Sequence, residues 1–426
     1  MSRSGLLKIS GMSIFNLGVK LITGLVITKT IARYYGPDGM AYYGQYINLV
    51  ALLGTISIVG LHVGVVKRFS HSSSFHEQKV IISTVITVIM TVMTIVAMYF
   101  LIFSDFISYN LFGRHDFGDV VVVSIFAILC YGLQLLSQAV LTGLGQHRKL
   151  LLAMLLQTVV PLLTILLLIP FNGERYLLYG AILGGILSSL YTFAQIARQF
   201  GLSPKAIRDH TSIQTLKSLT PFIVMILVST ASQHGVFVLT RTFLIDEIST
   251  HHAGLWNGML RVSDIALTTT ATIFGIYYLP KVSVHLQSQA LRREMFMMGK
   301  TVIPLAFLFL TTIYICKELI IKIVFSQSFD GMIQLFTYQL LGDFFRIISW
   351  IFSYILLAKI KIKYFVISEL VFAIFFYFST RILLKEYGFS TISLTYLLST
   401  VFYLGVVLLF VYKGVLSTHE EDERIA

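Results

Sequence analysis

The chain has 426 residues, 56% of them hydrophobic and 12% charged, with a mean hydropathy of +0.83. Soluble domains carry about 25% charged residues, so this composition excludes a water-soluble globular protein and implies an integral membrane protein. The net charge of +12 does not point to nucleic acid, because most Lys and Arg residues fall in short loops on one side of a series of apolar runs, as membrane topology requires.

Twelve apolar segments follow one another, each roughly 20 residues long, enough to cross ~30 Å of hydrocarbon as a helix. They are expected at about 9–34, 41–66, 80–103, 120–142, 150–170 and 177–198, and then at about 218–243, 253–279, 298–316, 333–357, 364–383 and 391–412. The alternating ~10-residue pattern of an outer-membrane barrel is absent. The first run, from about Ile9 to Ile31, is too long for the apolar core of a signal peptide and lacks a small-residue cleavage pattern, so it reads as a membrane helix. Gly18, Gly24, Gly54, Pro161, Pro221 and Pro304 lie inside spans, where such residues are tolerated and often mark kinks. Cys130 and Cys316 lie in or at the end of apolar spans, an arrangement that suits neither a disulfide framework nor a cysteine metal site.

Lys and Arg cluster at the N-terminus, in the loops that follow even-numbered spans and in the tail, for example Lys67, Arg68, Arg148, Lys149, Lys205, Arg208, Arg292, Arg293, Lys359 and Lys361. The positive-inside rule therefore places both termini in the cytoplasm. The longest polar stretch, residues 199–217, joins the halves on that side, and the tail Glu420-Glu421-Asp422-Glu423 reads as a solvated end.

Two correspondences at half the chain length suggest a duplication. Thr28-Lys29-Thr30 returns 212 residues later as Thr240-Arg241-Thr242. Leu111-Phe112 followed by Phe117 is matched by Val324-Phe325 followed by Phe329, each between the third and fourth spans of its half. Both halves start on the same side, so the repeat is parallel. The expected architecture is all-α and polytopic, with twelve transmembrane helices in two six-helix bundles, residues 1–207 and 208–426, around a cleft and related by a pseudo-twofold along the membrane normal.

Charges within the spans are the candidates for function, since a cation at the centre of a membrane helix costs ~2.5–3.5 kcal/mol on insertion scales. Lys29 and Arg241 lie near the outer ends of their helices. Each can snorkel to the interface or line a lumen, and the repetition favours the lumen. Lys20 is deeper. It lies nine residues before Lys29, so the two point to opposite faces of an ideal helix and share a cleft only if the helix bends near Gly24. The matching stretch Ser232-Gln233-His234 is polar but uncharged. Arg261 with Asp264, and Asp343 with Arg346, are spaced three apart and share helix faces. They read either as local charge compensation or as an anion-binding Arg beside an Asp that titrates or pairs during transport. Glu369 lies six residues after Lys363, in an interfacial or functional place. No zinc-protease motif, phosphate loop or nucleophile elbow is present, His251-His252 lacks a ligand set, and no ATP-binding domain is evident. These point away from an enzyme and from a metal centre, and leave an ion gradient or a partner reaction as the energy source.

Tyr35-Gly36-Pro37-Asp38-Gly39, Tyr43-Gly44-Gln45, Gly60 and Gly64-Val65-Val66-Lys67 resemble the first two helices of Wzx-type flippases, in the multidrug/oligosaccharidyl-lipid/polysaccharide exporter superfamily. Leu255-Trp256-Asn257-Gly258, Ser263-Asp264 and Tyr278-Leu279-Pro280 look like the eighth span of enterobacterial common antigen lipid III flippases and related O-antigen translocases. Gln339-Leu340-Leu341-Gly342-Asp343, then Ala358-Lys359 and Glu369, look like their tenth and eleventh. The resemblance spans nearly the whole chain.

The resemblance implies a MATE-like fold in a bacterial inner membrane and an undecaprenyl-diphosphate-linked oligosaccharide as substrate, either an O-antigen unit or common-antigen lipid III. Movement from the cytoplasmic to the periplasmic leaflet would proceed by alternating access, without a cofactor and with coupling to a proton or sodium gradient. Lys20, Lys29, Lys67, Arg241, Asp264, Asp343 and Glu369 fall where the group carries the same or similar residues. Arg261 departs from the common-antigen flippases, which favours an O-unit translocase. Lys20, Lys29, Lys67, Arg241, Arg261 and Arg346 are the expected diphosphate or lumen cations, with Lys20 as the central contact, and Asp264, Asp343 and Glu369 are the expected ion-coupling groups. A polysaccharide polymerase and a chain-length regulator are expected partners of a monomer embedded in membrane lipid. A cation-coupled multidrug antiporter of the same fold and a membrane-embedded sugar-processing enzyme are the alternatives.

Overall fold

A computed structural model describes residues 3–71, 74–219, 223–284, 288–359 and 361–416. Pro221 and the acidic tail lie outside the described residues. Helices take up nearly all of these residues, as the length and apolarity of the chain's runs require. Its helices are α1 (Arg3–Tyr34), α2 (Gly36–Ser57), α3 (His62–His71), α4 (Phe75–Ile102), α5 (Ser104–Phe112), α6 (Gly118–Gly143), α7 (His147–Leu168), α8 (Glu174–Phe200), α9 (Pro204–Asp209), α10 (Ile213–Leu219), α11 (Ile223–Thr230), α12 (Val236–Glu247), α13 (Thr250–Ile273), α14 (Leu279–Val284), α15 (Ser288–Ile315), α16 (Lys317–Val324), α17 (Phe336–Ala358), α18 (Ile362–Tyr387) and α19 (Thr391–Val411).

Among the described residues, 10 helices are long and apolar enough to cross a membrane, and a bent pair raises this to 11. The twelfth expected position, the seventh span, is filled by α11 and α12, which run on from each other through the π turn Ala231–Gly235. The chain is therefore a multi-pass all-α membrane protein. Two compact units divide it, Met1–Ile245 and Asp246–Ala426, so the seventh span packs with the first six.

The second span departs from the single helix expected over 41–66. It breaks between Ser57 and His62 with a bend of 55°. Val59 and Gly60 adopt φ values of +50° and +66° there. Glycine takes that conformation freely, but β-branched Val59 is strained in it, by a cost of order 1–3 kcal/mol. Neither proline breaks its helix. Pro161 lies within α7 and Pro304 within α15. α1 is likewise continuous through Gly18 and Gly24.

Close helix packing in the first unit uses small residues. A Cβ at Gly184 would fall 2.3 Å from the Pro161 Cα, so α8 lies directly against α7. Thr164 Oγ1 then donates across to the Gly180 carbonyl at 2.6 Å. Small residues and hydroxyl bonds of this kind hold membrane helices where lipid offers no hydrophobic gradient.

The sequence repeat has a counterpart in local structure. α5 and the 3-10 turn His115–Phe117 precede α6, and α16 and the 3-10 segment Gln327–Leu335 precede α17. Phe112 and Phe117 in the first motif, and Phe325 and Phe329 in the second, are all buried.

Candidate functional site

Lys20 and Lys29 of α1 are exposed, and among the described residues neither forms a hydrogen bond or ion pair. Their positions on α1 differ by ~13.5 Å along the axis and by half a turn around it. Lys20 shares its face with Asn16 and Ile27. Asn16 Nδ2 donates to Met154 Sδ of α7 at 3.5 Å, and Ile27 is buried. Lys29 points the opposite way. One compact diphosphate cannot span both.

Arg241 has the same local sequence as Lys29 and a different environment. It is 0% exposed, so it is not an interface anchor. Its Nη1 donates to Gln45 Oε1 of α2 at 3.0 Å. Gln45 Nε2 donates in turn to Thr242 Oγ1 at 2.8 Å and to the Val238 carbonyl at 3.3 Å. Further along the same pair of elements, His234 Nδ1 lies 3.0 Å from Asn48 Oδ1. α2 and the seventh span thus meet along a polar seam, with the π turn at one end. Lys67 is exposed on α3, beyond the break in the second span.

The charged residues of the second unit sort into two groups. Arg261 Nη1 lies 3.5 Å from Asp264 Oδ2, with side chains 27% and 57% exposed, as expected for local compensation one turn apart. Asp343 and Arg346 do not pair with each other. Arg346 Nη2 faces Glu369 Oε2 of α18 at 3.5 Å, with both side chains enclosed. The guanidinium also lies 4.4 Å from the ring centroids of Phe372 and Tyr403, an enclosed cation–π arrangement. Tyr403 donates to Glu369 Oε1 at 2.7 Å. Glu369 is therefore a core residue of α17, α18 and α19 and not an interfacial one. Its proximity in sequence to Lys363 did not reveal this, because the partner that matters lies on another helix.

Asp343 is 0% exposed. Tyr396 donates to its Oδ1 at 3.1 Å, while among the described residues Oδ2 makes no hydrogen bond of good geometry. Ser263 and Gln339 lie beside this carboxyl, and their polar side-chain atoms also lack well-formed hydrogen bonds. Buried polar groups seldom go without partners, so this oxygen-rich pocket has capacity for a proton or a small cation. His252 has no such role. Its Nδ1 lies 2.8 Å from Ser249 Oγ at the start of α13, and its ring packs on Phe389. Among the described residues no group of three metal-ligating side chains is found.

Five residues that complete these clusters carry no charge to mark them: Gln45, Ser263, Gln339, Tyr396 and Tyr403. A neutral polar residue in a long apolar run is a weak signal. Gln45 and Gln339 carry the plainest one, an amide that a membrane helix must satisfy.

Residues 10–283 match the family described as "Polysaccharide biosynthesis protein". The chain belongs to this family. It is also 23% identical over 354 residues to the Lipid III flippase of Escherichia coli (strain K12), an alignment covering 82% of this chain and 85% of that protein. The Lipid III flippase of Shigella flexneri matches over the same shares. Among solved structures, the Lipid II flippase MurJ in an inward closed conformation aligns with a TM-score of 0.74 at 16% identity, covering 95% of this chain and 87% of that one. An inward-facing multidrug resistance MATE family transporter of the MOP superfamily aligns with a TM-score of 0.74 at 12% identity, covering 96% and 99%. At these identities the structures establish the fold, which is MATE-like as expected.

Proposed function

We propose that the chain is a flippase for a polyprenyl-diphosphate-linked oligosaccharide, an O-antigen unit or common-antigen lipid III. It moves this substrate from the cytoplasmic to the periplasmic leaflet of a bacterial inner membrane by alternating access, with both termini cytoplasmic. The observation that carries the reading is the pair of exposed lysines on α1, Lys20 and Lys29, which have no protein partner among the described residues. Family membership and similarity to proteins named Lipid III flippase give those cations an anion of the right class. A diphosphate is strongly attracted to ammonium groups where the local dielectric is low. Their separation makes them successive contacts, with Lys20 the deeper one. Lys67, Arg241 and Arg261 are further candidate contacts. Arg346 is enclosed with Glu369 and serves instead to hold α17, α18 and α19 together.

Coupling to a proton or sodium gradient is assigned to Asp343. Support comes from its complete burial and its uncompleted Oδ2, whereas Glu369 is matched to Arg346 and Asp264 to Arg261. In this reading the protein is a transporter that makes and breaks no covalent bond in its substrate. A polymerase and a chain-length regulator would receive the flipped unit.

The test is reconstitution into vesicles with a fluorescent polyprenyl-diphosphate saccharide, reading how much becomes accessible to a membrane-impermeant quencher. Wild-type chain should accelerate translocation, and Lys20→Ala should abolish most of it. A chain that leaves the flipping rate at the protein-free level would overturn the reading. For coupling, an ionophore that collapses the gradient should slow wild type and leave Asp343→Asn unchanged; equal slowing of both would remove Asp343 from that role.

A further inference from the structure

We propose that Gln45 is an internal competitor for Arg241, a carboxamide that occupies the guanidinium until an anionic headgroup replaces it. This deepens the flippase reading and rests on it. Enclosing an arginine is costly, because a guanidinium removed from water needs acceptors of good geometry. Gln45 Oε1 supplies one at 3.0 Å. A phosphate oxygen is a stronger acceptor for the same fork, because the bond becomes charge-assisted at both ends. Gln45 therefore engages one arm of the Arg241 guanidinium without substrate and is too weak to keep it against a diphosphate.

The rest of the seam fits exchange better than permanent support. Gln45 is held in place by its amide end, through Thr242 Oγ1 and the Val238 carbonyl. Both of these acceptors belong to α12, so Gln45 and Arg241 release each other together when α12 moves away from α2. α12 is built for such a movement. It is a 12-residue segment with the π turn Ala231–Gly235 before it and a turn at residues 248–249 after it. A π turn already departs from the α ladder and commonly marks functional positions. Because the seam is polar, water or substrate can satisfy its groups once it opens, whereas an apolar seam would lose its stabilisation outright.

Charge decides the specificity. An amide at position 45 leaves Arg241 with its full positive charge for the incoming anion. A carboxylate there would neutralise it and keep it. The competitor is therefore tuned by being neutral.

Binding of farnesyl diphosphate to the detergent-solubilised full chain tests the inference, with farnesol as the uncharged control. In the competitor model the apparent Kd scales inversely with the fraction of chains in which Arg241 is released from Gln45. Gln45→Ala should bind farnesyl diphosphate about tenfold more tightly than wild type, and Gln45→Glu should bind it at least tenfold more weakly. Thr242→Val, which removes one of the two acceptors that anchor the Gln45 amide, should tighten binding by a smaller factor and serves as the second reading should Gln45→Ala fail to fold. The gain should vanish in Gln45→Ala/Arg241→Ala. Binding that is unchanged or weaker in both Gln45→Ala and Thr242→Val overturns the inference alone. No binding of farnesyl diphosphate by the folded wild-type chain overturns the diphosphate reading and the inference with it.

Discussion

Lys29 of α1 and Arg241 of α12 stand 212 residues apart, each between two threonines, and each ends up in a different physical setting. The α1 lysine is exposed and without a protein partner among the described residues. The α12 arginine is sealed against α2 and donates to Gln45. The difference lies in what each helix packs against. α1 lays Asn16 and Ile27 against its neighbours and turns Lys29 away, while α12 turns Arg241 toward a glutamine at the centre of a helix contact. A buried cation must be matched by the protein and meets a ligand only by exchanging that partner, whereas an exposed one is open to a ligand at once. The same distinction separates Lys20 from Arg346, which is enclosed by Glu369, Phe372 and Tyr403. Location in an apolar span is therefore not enough to nominate a substrate contact; the state of the charge's partners is the better guide.

The comparison is broken most directly at the enclosed end. Glu369→Ala leaves the Arg346 guanidinium buried without its carboxylate, a change that costs about 3–5 kcal/mol. It should lower the midpoint of thermal unfolding by more than the loss of any exposed charge. Replacing both partners, as Arg346→Met with Glu369→Leu, should recover most of that loss, because well-packed apolar residues avoid the desolvation of an ion pair. A double variant no more stable than Glu369→Ala would mean that Arg346 is held chiefly by the two rings.

At the exposed end the expected effect falls on transport and not on folding. Lys29→Ala removes a charge-assisted contact of about 1.5–3 kcal/mol, roughly a ten- to hundredfold loss in flipping rate. Its unfolding midpoint should stay within experimental scatter of wild type. Lys29→Arg should keep a substantial part of the rate. A Lys29→Ala chain that flips at the wild-type rate would show that an exposed, partnerless cation in this span has no role in carrying the headgroup.

The contrast between these two ends also marks how far the sequence was legible. Span number, order and approximate boundaries follow from apolar run length, because backbone hydrogen bonds leave few alternatives in hydrocarbon. The break of the second span was not legible, since Ile58-Val59-Gly60 is an apolar run in which only Gly60 hints at a positive φ. Arg261 and Asp264 pair as their spacing suggests. Asp343 and Arg346 have identical spacing and do not, because their partners Tyr396 and Glu369 lie on α19 and α18, which no local spacing encodes. Gln45 has no charge to draw attention within its span, yet its neutral amide accepts from the buried arginine.

The smallest effect is expected where charges are exposed and yet satisfied. Arg114 donates to both oxygens of Asp116 at 2.9 Å, Arg175 approaches Asp116 and Asp119, and both guanidiniums lie over Phe117. The hydrogen bonds to Asp116 push the Arg114 pKa above its ordinary value, so this arginine stays charged throughout the working pH range. Side chains 40% and 44% exposed are well solvated, and an exposed pair contributes ~0.2–1 kcal/mol that salt screens further. Asp116→Asn should therefore lower the unfolding midpoint slightly in low salt, and the difference from wild type should disappear in about 0.5 M salt, ~4–5 Å in Debye length. Flipping should be unaffected, because these arginines are engaged by neighbouring carboxylates and are not presented to a ligand as Lys29 is. If Asp116→Asn slows flipping as much as Lys29→Ala, the partner state of a cation would cease to distinguish contact residues from supporting ones, and the segment around Phe117 would have to be counted among the groups that meet the headgroup.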